Sequence, residues 1–236
     1  MSVFVIGDLH LSLNTEKPMD IFSGWGNYTE RLQKAWQDSV EPGDTVVIPG
    51  DISWAMSLDE ACADFDFINK LPGQKIISKG NHDYWWTTMR KMNDWLADNS
   101  FDTIKFLHNN SFICDGFGIC GTRSWFYDED EAEPDKVFLR EMGRLKMSLD
   151  SLDFSACEDA AVFLHYPPIH RSKAVEDIIG MLKSYGIKRC FYGHVHGPSI
   201  KQAFIGEYGG IDFKLISADY LKFSPYIVDV KLNSGR

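Results

Sequence analysis

Five short apolar runs recur along the chain: Val3-Phe4-Val5-Ile6, Thr45-Val46-Val47-Ile48-Pro49, Lys75-Ile76-Ile77-Ser78, Ala161-Val162-Phe163-Leu164 and Cys190-Phe191-Tyr192. Their length, their Val, Ile and Phe content and their endings in Gly or a polar cluster predict buried strands. Residues of metal-ligand type follow each run, where a strand hands over to its loop. In open α/β sheets that edge is where ligands bind.

Helical periodicity fills the gaps. A polar, Gly-containing connection occupies residues 11–26, and Asn27 with Glu30 then predicts a capping box. The helix that follows places Leu32, Ala35, Trp36 and Val40 on one face. Pro42-Gly43-Asp44 turns the chain into the second run. Ser57 and Glu60 predict a second capped helix ending near Leu71-Pro72-Gly73, and Met89 to Asn99 a short third one. Residues 104–126 read as β-hairpin material, with turn glycines at Gly116 and Gly118. The acidic stretch 127–134 reads as a solvated loop, with Pro134 opening a helix. Ser172 to Tyr185 predicts an amphipathic helix with Gly186 as its C-cap. From Ala203 to Leu232 apolar and polar residues alternate in short runs, as in antiparallel strands. No solenoid period recurs. The expected fold is α/β (α+β), a two-sheet β-sandwich flanked by helices, as one domain over residues 1–236.

Composition narrows the classes. The 236 residues are 44% hydrophobic and 25% charged, ordinary for a soluble globular protein. No stretch approaches the ~18 apolar residues of a membrane span, and no signal-peptide pattern follows Met1. The five cysteines are odd in number and lack CxxC spacing, which predicts reduced thiols in a cytoplasmic protein and argues against a zinc-thiolate site. A net charge of −10 offers no basic footprint for nucleic acid. It leaves a nucleotide substrate open, because bound cations can supply a local positive field.

The chemistry lies in Gly7-Asp8-Leu9-His10, Gly50-Asp51, Gly80-Asn81-His82-Asp83, His165 and Gly193-His194-Val195-His196. Alternation along a strand would point Asp8 and His10 the same way, and likewise His194 and His196. Carboxylate, imidazole and amide without thiolate suit Mn²⁺, Fe²⁺, Zn²⁺ or Ni²⁺. Each residue alone has a plain reading as a cap, a turn former or a structural histidine. All five blocks in this order make the joint coincidence improbable.

The set resembles the calcineurin-like metallophosphoesterase superfamily, whose pattern is DxH, GD, GNH(D/E), H and GHxH in that order. The resemblance runs from residue 7 to residue 197. It implies a two-metal site, Mn²⁺ foremost, with Asp8, His10, Asp51 and His196 on one ion and Asp51, Asn81, His165 and His194 on the other. Asp51 then bridges, and His82 stands beside the pair as general acid. Two divalent ions against two aspartates and a bridging hydroxide leave a charge of about +1 to receive a phosphate ester. The implied reaction is hydrolysis of a small-molecule or nucleotide phosphodiester. A phosphomonoesterase, a nuclease and a non-catalytic scaffold are the alternatives. Protein phosphatases of the superfamily continue the second block as GDxxDRG, which is missing after Asp51. Purple acid phosphatases carry a Tyr where this chain has Trp54, and indole cannot replace a tyrosinate on ferric iron.

Further positions carry expectations of their own. Arg123 either pairs with a phosphate oxygen or forms a surface ion pair with the acidic stretch at 128–133. Tyr84, Trp85 and Trp86 either line the pocket or pack beneath the loop. His108 reads as a strand-end surface residue. His170, beyond the Pro167-Pro168 turn, reads as solvated.

Overall fold

Alternation along each strand sends its apolar side chains into different cores. The computed structural model describes residues 1–125, 136–170 and 173–229. Its first half contains β1 (Val3–Val5), α1 (Tyr28–Ser39), β2 (Thr45–Pro49), α2 (Leu58–Lys70), β3 (Gln74–Ser78), α3 (Met89–Asp98) and β4 (Ile104–Phe106). Next come β5 (Phe112–Cys114), β6 (Phe117–Thr122), α4 (Lys136–Asp150), β7 (Asp159–Leu164), β8 (Ile169–His170) and β9 (Lys173–Ala174). The chain continues through α5 (Glu176–Ser184), β10 (Arg189–Tyr192), β11 (Gly206–Tyr208), β12 (Ile211–Leu215) and β13 (Tyr226–Asp229).

Two sheets result, ordered β13-β1-β2-β3-β4 and β11-β12-β10-β7-β6-β5, beside a small β8-β9 ribbon. Val3, Val5, Val47 and Ile76 of the first sheet meet Ile119, Ala161, Phe163 and Phe191 of the second in a shared core. The intervening positions Phe4, Val46, Ile48 and Ile77 face the other way and pack with Leu32, Trp36, Phe65 and Met92 of α1 to α3. Val162, Leu164, Cys190 and Tyr192 do the same against Phe138, Leu145, Ile179 and Leu182 of α4 and α5. The layers are therefore helix, sheet, sheet, helix, as expected. Strands buried on both faces explain why the runs read as continuous apolar stretches.

Several local expectations change. β4 leaves the expected hairpin and pairs in parallel with β3, because Ile104 and Phe106 belong to the outer core of the first sheet. Only β5 and β6 form the hairpin. The alternating tail splits between sheets: β11 and β12 are antiparallel, β12 lies parallel to β10, and β13 pairs with β1. Residues 230–232 of that tail, like the acidic stretch and Pro134, lie outside the described residues. Asn27 sits at the cap of α1 in a left-handed conformation (φ 50°) and makes no side-chain cap bond. Capping geometry needs an extended backbone there, so the box cannot close. Ser57 Oγ does accept from Glu60 N at 3.3 Å, but Glu60 Oε2 reaches back to Met56 N at 2.8 Å. The helix expected from Ser172 starts at Glu176, because Lys173 and Ala174 pair with His170 and Ile169. Glu176 and Asp177 then occupy the first turn, where the helix dipole favours acids. Gly186 follows the last turn at φ 72°, with Gly186 N bonding Lys183 O and Ile187 N bonding Leu182 O, a Schellman motif.

Candidate metal centre

β1, β2 and β3 of one sheet run parallel to one another, as do β7 and β10 of the other, so their C-terminal ends collect at one edge. The five sequence blocks leave from those ends. The loops leave the strands sharply rather than extending them. Asp8 (φ 56°), His10 (φ 46°), Asp51 (φ 51°) and His194 (φ 67°) all have left-handed backbones. Such conformations are strained for non-glycine residues and cluster at functional sites. The expected alternation of Asp8 with His10, and of His194 with His196, is thus replaced by tight turns, and the two members of the second pair part company. Two glycines make the approach feasible. A Cβ on Gly80 would lie 2.1 Å from Asp51 Oδ1, and one on Gly193 would lie 2.4 Å from Asp8 Oδ2.

Ligand atoms of Asp8, His10, Asp51 and His196 lie within 4.8 Å of one another, and so do those of Asp51, His165 and His194. Asn81 joins the second group, its Oδ1 lying 2.6 Å from His165 Nε2 and 2.9 Å from His194 Nδ1. His10 Nε2 and His196 Nε2 stand 3.3 Å apart. Asp51 Oδ2 lies 3.7 Å from His10 Nε2 and 3.5 Å from His165 Nε2, buried and without a hydrogen bond. An orphaned carboxylate oxygen of this kind is expensive unless a cation satisfies it.

Tautomers point the same way. His165 Nδ1 lies 3.2 Å from Pro49 O, an acceptor, so Nδ1 carries the hydrogen and Nε2 presents a lone pair. Burial holds His165 and His194 down to about 3, and lowers His10 and His196 as well. The rings are therefore neutral ligands at ordinary pH. Burial, followed by mutual repulsion with Asp51, raises Asp8 well above the carboxylate range, and burial raises Asp51 too. Converging lone pairs on neutral imidazoles and destabilised carboxylates fit divalent cations. No cysteine joins either group.

Residues 1–198 match the model of the calcineurin-like phosphoesterases. The chain belongs to the calcineurin-like phosphoesterase family. Metal-dependent hydrolysis of phosphate esters is the chemistry of that family. No curated protein matches the sequence. Among solved structures, a phosphopantetheinyl hydrolase from Mycobacterium tuberculosis is similar at TM-score 0.57 and 14% identity, covering 100% of this chain and 98% of its own. A protein of Thermus thermophilus has TM-score 0.55 and 13% identity, covering 97% and 98%. A purple acid phosphatase from yellow lupin has TM-score 0.52 and 15% identity over 99% of this chain and 46% of that one. At these identities the likeness is one of fold.

This phosphoesterase's His82 falls in neither ligand group. Its backbone N–H donates to Asp51 Oδ1 at 2.7 Å, while its buried Nδ1 has no partner. Its ring is held instead by Trp54, 4.4 Å away. Trp54 also stacks on His10 at 4.9 Å and donates from Nε1 towards Met19 Sδ at 3.3 Å. In the sequence Trp54 drew notice only as a missing tyrosine, and its support of two site histidines had no motif to announce it. Asp83 is the other omission. It completes the third block yet received no role. It is fully buried and accepts from Asp51 N (2.9 Å), Ile52 N (2.9 Å), Gly80 N (2.7 Å) and Trp85 Nε1 (3.1 Å). Burial and the nearby Asp51 charge push it up to about 7, against the pull of those N–H groups. Asp83 thus clamps the second and third ligand loops together. Asp83→Ala should strand several buried donors, each worth ~1–3 kcal/mol, and lower stability by at least about 3 kcal/mol in urea unfolding.

Among the described residues Arg123 is held by Glu141 of α4. It is 15% exposed, its Nη2 lies 3.4 Å from Glu141 Oε1, and its guanidinium covers the Trp125 ring at 5.0 Å. Glu141 also receives Arg144 at 2.7 Å and Thr122 Oγ1 at 2.9 Å. The pair is therefore buried and made with α4, and the stretch 128–133 lies outside the described residues. Trp85 packs beneath the loop in the outer core, Trp86 packs against that core, and Tyr84 is 53% exposed beside His82. His108 is half-buried against Trp86 rather than at the surface, and burial lowers it. His170 is half-buried and lines a cavity with His194 and His196.

Proposed function

We propose that this protein hydrolyses small-molecule or nucleotide phosphodiesters with two divalent ions, Mn²⁺ foremost, and with His82 as general acid. The observation that carries the reading is Asp51 Oδ2, a partnerless buried oxygen lying between the two groups of lone pairs. Asp8, His10, Asp51 and His196 would hold one ion, and Asp51, Asn81, His165 and His194 the other. Ions held there supply Lewis-acid charge neutralisation and lower the pKa of water, providing a nucleophile near neutral pH. His82, outside both groups, gives its proton to the departing alkoxide. Its Nδ1 is sealed, which leaves Nε2 as the donor atom.

Charge favours the diester. A diester brings one negative charge, which the dinuclear site already balances, whereas a monoester dianion calls for an added cation. Arg123 is the residue the sequence offered for that role, and Glu141 partly neutralises it. Steady-state kinetics on p-nitrophenyl mono- and diesters with Mn²⁺ should give kcat/KM for the diester at least equal to the monoester. A monoester preference beyond ~10-fold, about 1.4 kcal/mol, would reverse the assignment. The net charge of −10 gives little support to a nuclease. The core shared by both sheets supports reading residues 1–236 as a single domain. Among the described residues no helix is long and apolar enough to cross a membrane. The five free cysteines fit a cytoplasmic setting.

A further inference from the structure

The loops that carry His10 and Asp51 run side by side. His10 N bonds Asp51 O at 2.9 Å, Leu11 N bonds Ile52 O at 2.9 Å, and Trp54 N bonds Leu11 O at 3.0 Å. A single carboxylate of α2 holds both loops. Asp64 is fully buried, its Oδ1 accepting Leu13 N at 2.8 Å and its Oδ2 accepting the Ser53 hydroxyl at 2.5 Å. Among the described residues no cation pairs with it. A buried carboxylate without a counter-charge is costly, and a well-packed apolar side chain in its place is often more stabilising. Ala61, Phe65 and Ile68 of the same helix are buried in the ordinary apolar way. Asp64 is therefore a poor core residue, and its two bonds go to one residue from each ligand loop.

Ser53 passes that hold on to Trp54. It is buried and directly precedes the indole. Its Oγ accepts Ala55 N at 3.1 Å while donating to Asp64, so one hydroxyl joins the residues on both sides of Trp54. Trp54 itself is pinned by its backbone N on Leu11 O and by Nε1 towards Met19 Sδ at 3.3 Å. The ring so held lies 4.4 Å from the His82 ring, whereas the His10 and Tyr84 rings stand 5.6 Å and 6.1 Å from it. No hydrogen bond orients the buried Nδ1 of His82. Packing on Trp54 is left to do so.

We propose that Asp64 and Ser53 are positioning residues, which fix Trp54 and through its ring hold the His82 imidazole in place as proton donor. The proposal rests on the reading of His82 as general acid. Neither residue touches substrate or metal. Their effect passes through the indole, and it falls on the step in which a proton reaches the departing alcohol.

The test uses the full chain loaded with Mn²⁺ and methyl phosphodiesters whose second group is p-nitrophenyl, phenyl or benzyl, in rising order of leaving-group basicity. A catalytic group displaced by about 1 Å can cost on the order of 10²-fold. Ser53→Ala and Asp64→Asn should accordingly lose about ten- to a hundredfold in kcat on the benzyl ester, and less than about threefold on the p-nitrophenyl ester. Both should keep the metal content of the unaltered protein on elemental analysis. A merely structural role lowers the active fraction and so reduces all three esters alike. Ser53→Ala added to Trp54→Leu should cost less than about twofold further on the benzyl ester, because the path it acts through is already cut. Should Asp64→Asn fail to fold, Ser53→Ala and this cycle carry the test. Equal losses on the three esters, unchanged rates, loss of metal, or full additivity with Trp54→Leu would overturn the assignment. His82→Asn measured alongside separates the two readings. If it too loses equally on all three esters, the general-acid reading falls and this inference with it; if only His82→Asn is selective, this inference alone falls.

Discussion

Asp51→Asn protein is expected to keep less than one divalent ion per chain after dialysis, where the unaltered protein keeps two. The reason lies in a single oxygen. Asp51 Oδ2 is within 3.7 Å of His10 Nε2 and 3.5 Å of His165 Nε2, so one carboxylate serves both ligand groups. Replacing it with a neutral amide removes the only charge they share and leaves the loop geometry close to its original form. Activity should fall by at least about 10³-fold, ~4 kcal/mol in the barrier. Asn81→Ala, which touches only the second group, should lose chiefly one ion. Elemental analysis of the dialysed proteins decides the matter. Unaltered protein holding no more than one ion at saturating Mn²⁺ would end the dinuclear reading.

His82→Asn should separate proton donation from metal binding. His82 meets Asp51 through its backbone N–H, a bond that survives any side-chain replacement except proline. Metal content should therefore stay at the level of the unaltered protein. Loss of a general acid lowers rates by ~10²–10⁴, and alkyl diesters with poor leaving groups should show the whole of that loss. Esters releasing p-nitrophenolate, which hardly needs a proton, should lose less than about tenfold. Equal losses on both classes of ester would contradict the acid role. Loss of metal would make His82 a support of the ligand shell. Trp54→Leu should lie between these cases, because the indole orients the His82 ring without exchanging a proton.

The ligand set was legible because its residues are chemically rare in combination and each follows a buried strand. Asp8, His10, Asp51, Asn81, His165, His194 and His196 are brought together by the fold. Their local geometry was not legible. Period-two reasoning assumes an extended backbone, and the chain turns left-handed at four of these positions to bring loops from two sheets to one point. Residues acting through a long-range partner were equally hidden. Arg123 shows no sequence sign of Glu141, eighteen positions away on α4. Trp54 shows none of Met19 or His82. Asp83 lay in plain view within a motif, but its work is done on backbone N–H groups, which sequence does not display. The parallel placement of β4 and the split of the tail were decided by which core had room for their side chains, a property of the assembled layers.

The pairing of β1 with β13 has a consequence for how the protein is made. The loop carrying Asp8 and His10 is braced by residues more than two hundred positions later: Val3 to Val5 pair with Tyr226 to Asp229, and Ala218 N bonds Gly7 O at 2.9 Å. The ribosome releases the first ligands long before it has synthesised their brace. At about 5–20 residues per second the interval is roughly 10–45 s, and contacts this distant in sequence are slow to close even afterwards. The nascent chain therefore carries Asp8 and His10 unbraced until residues 218–229 have been made.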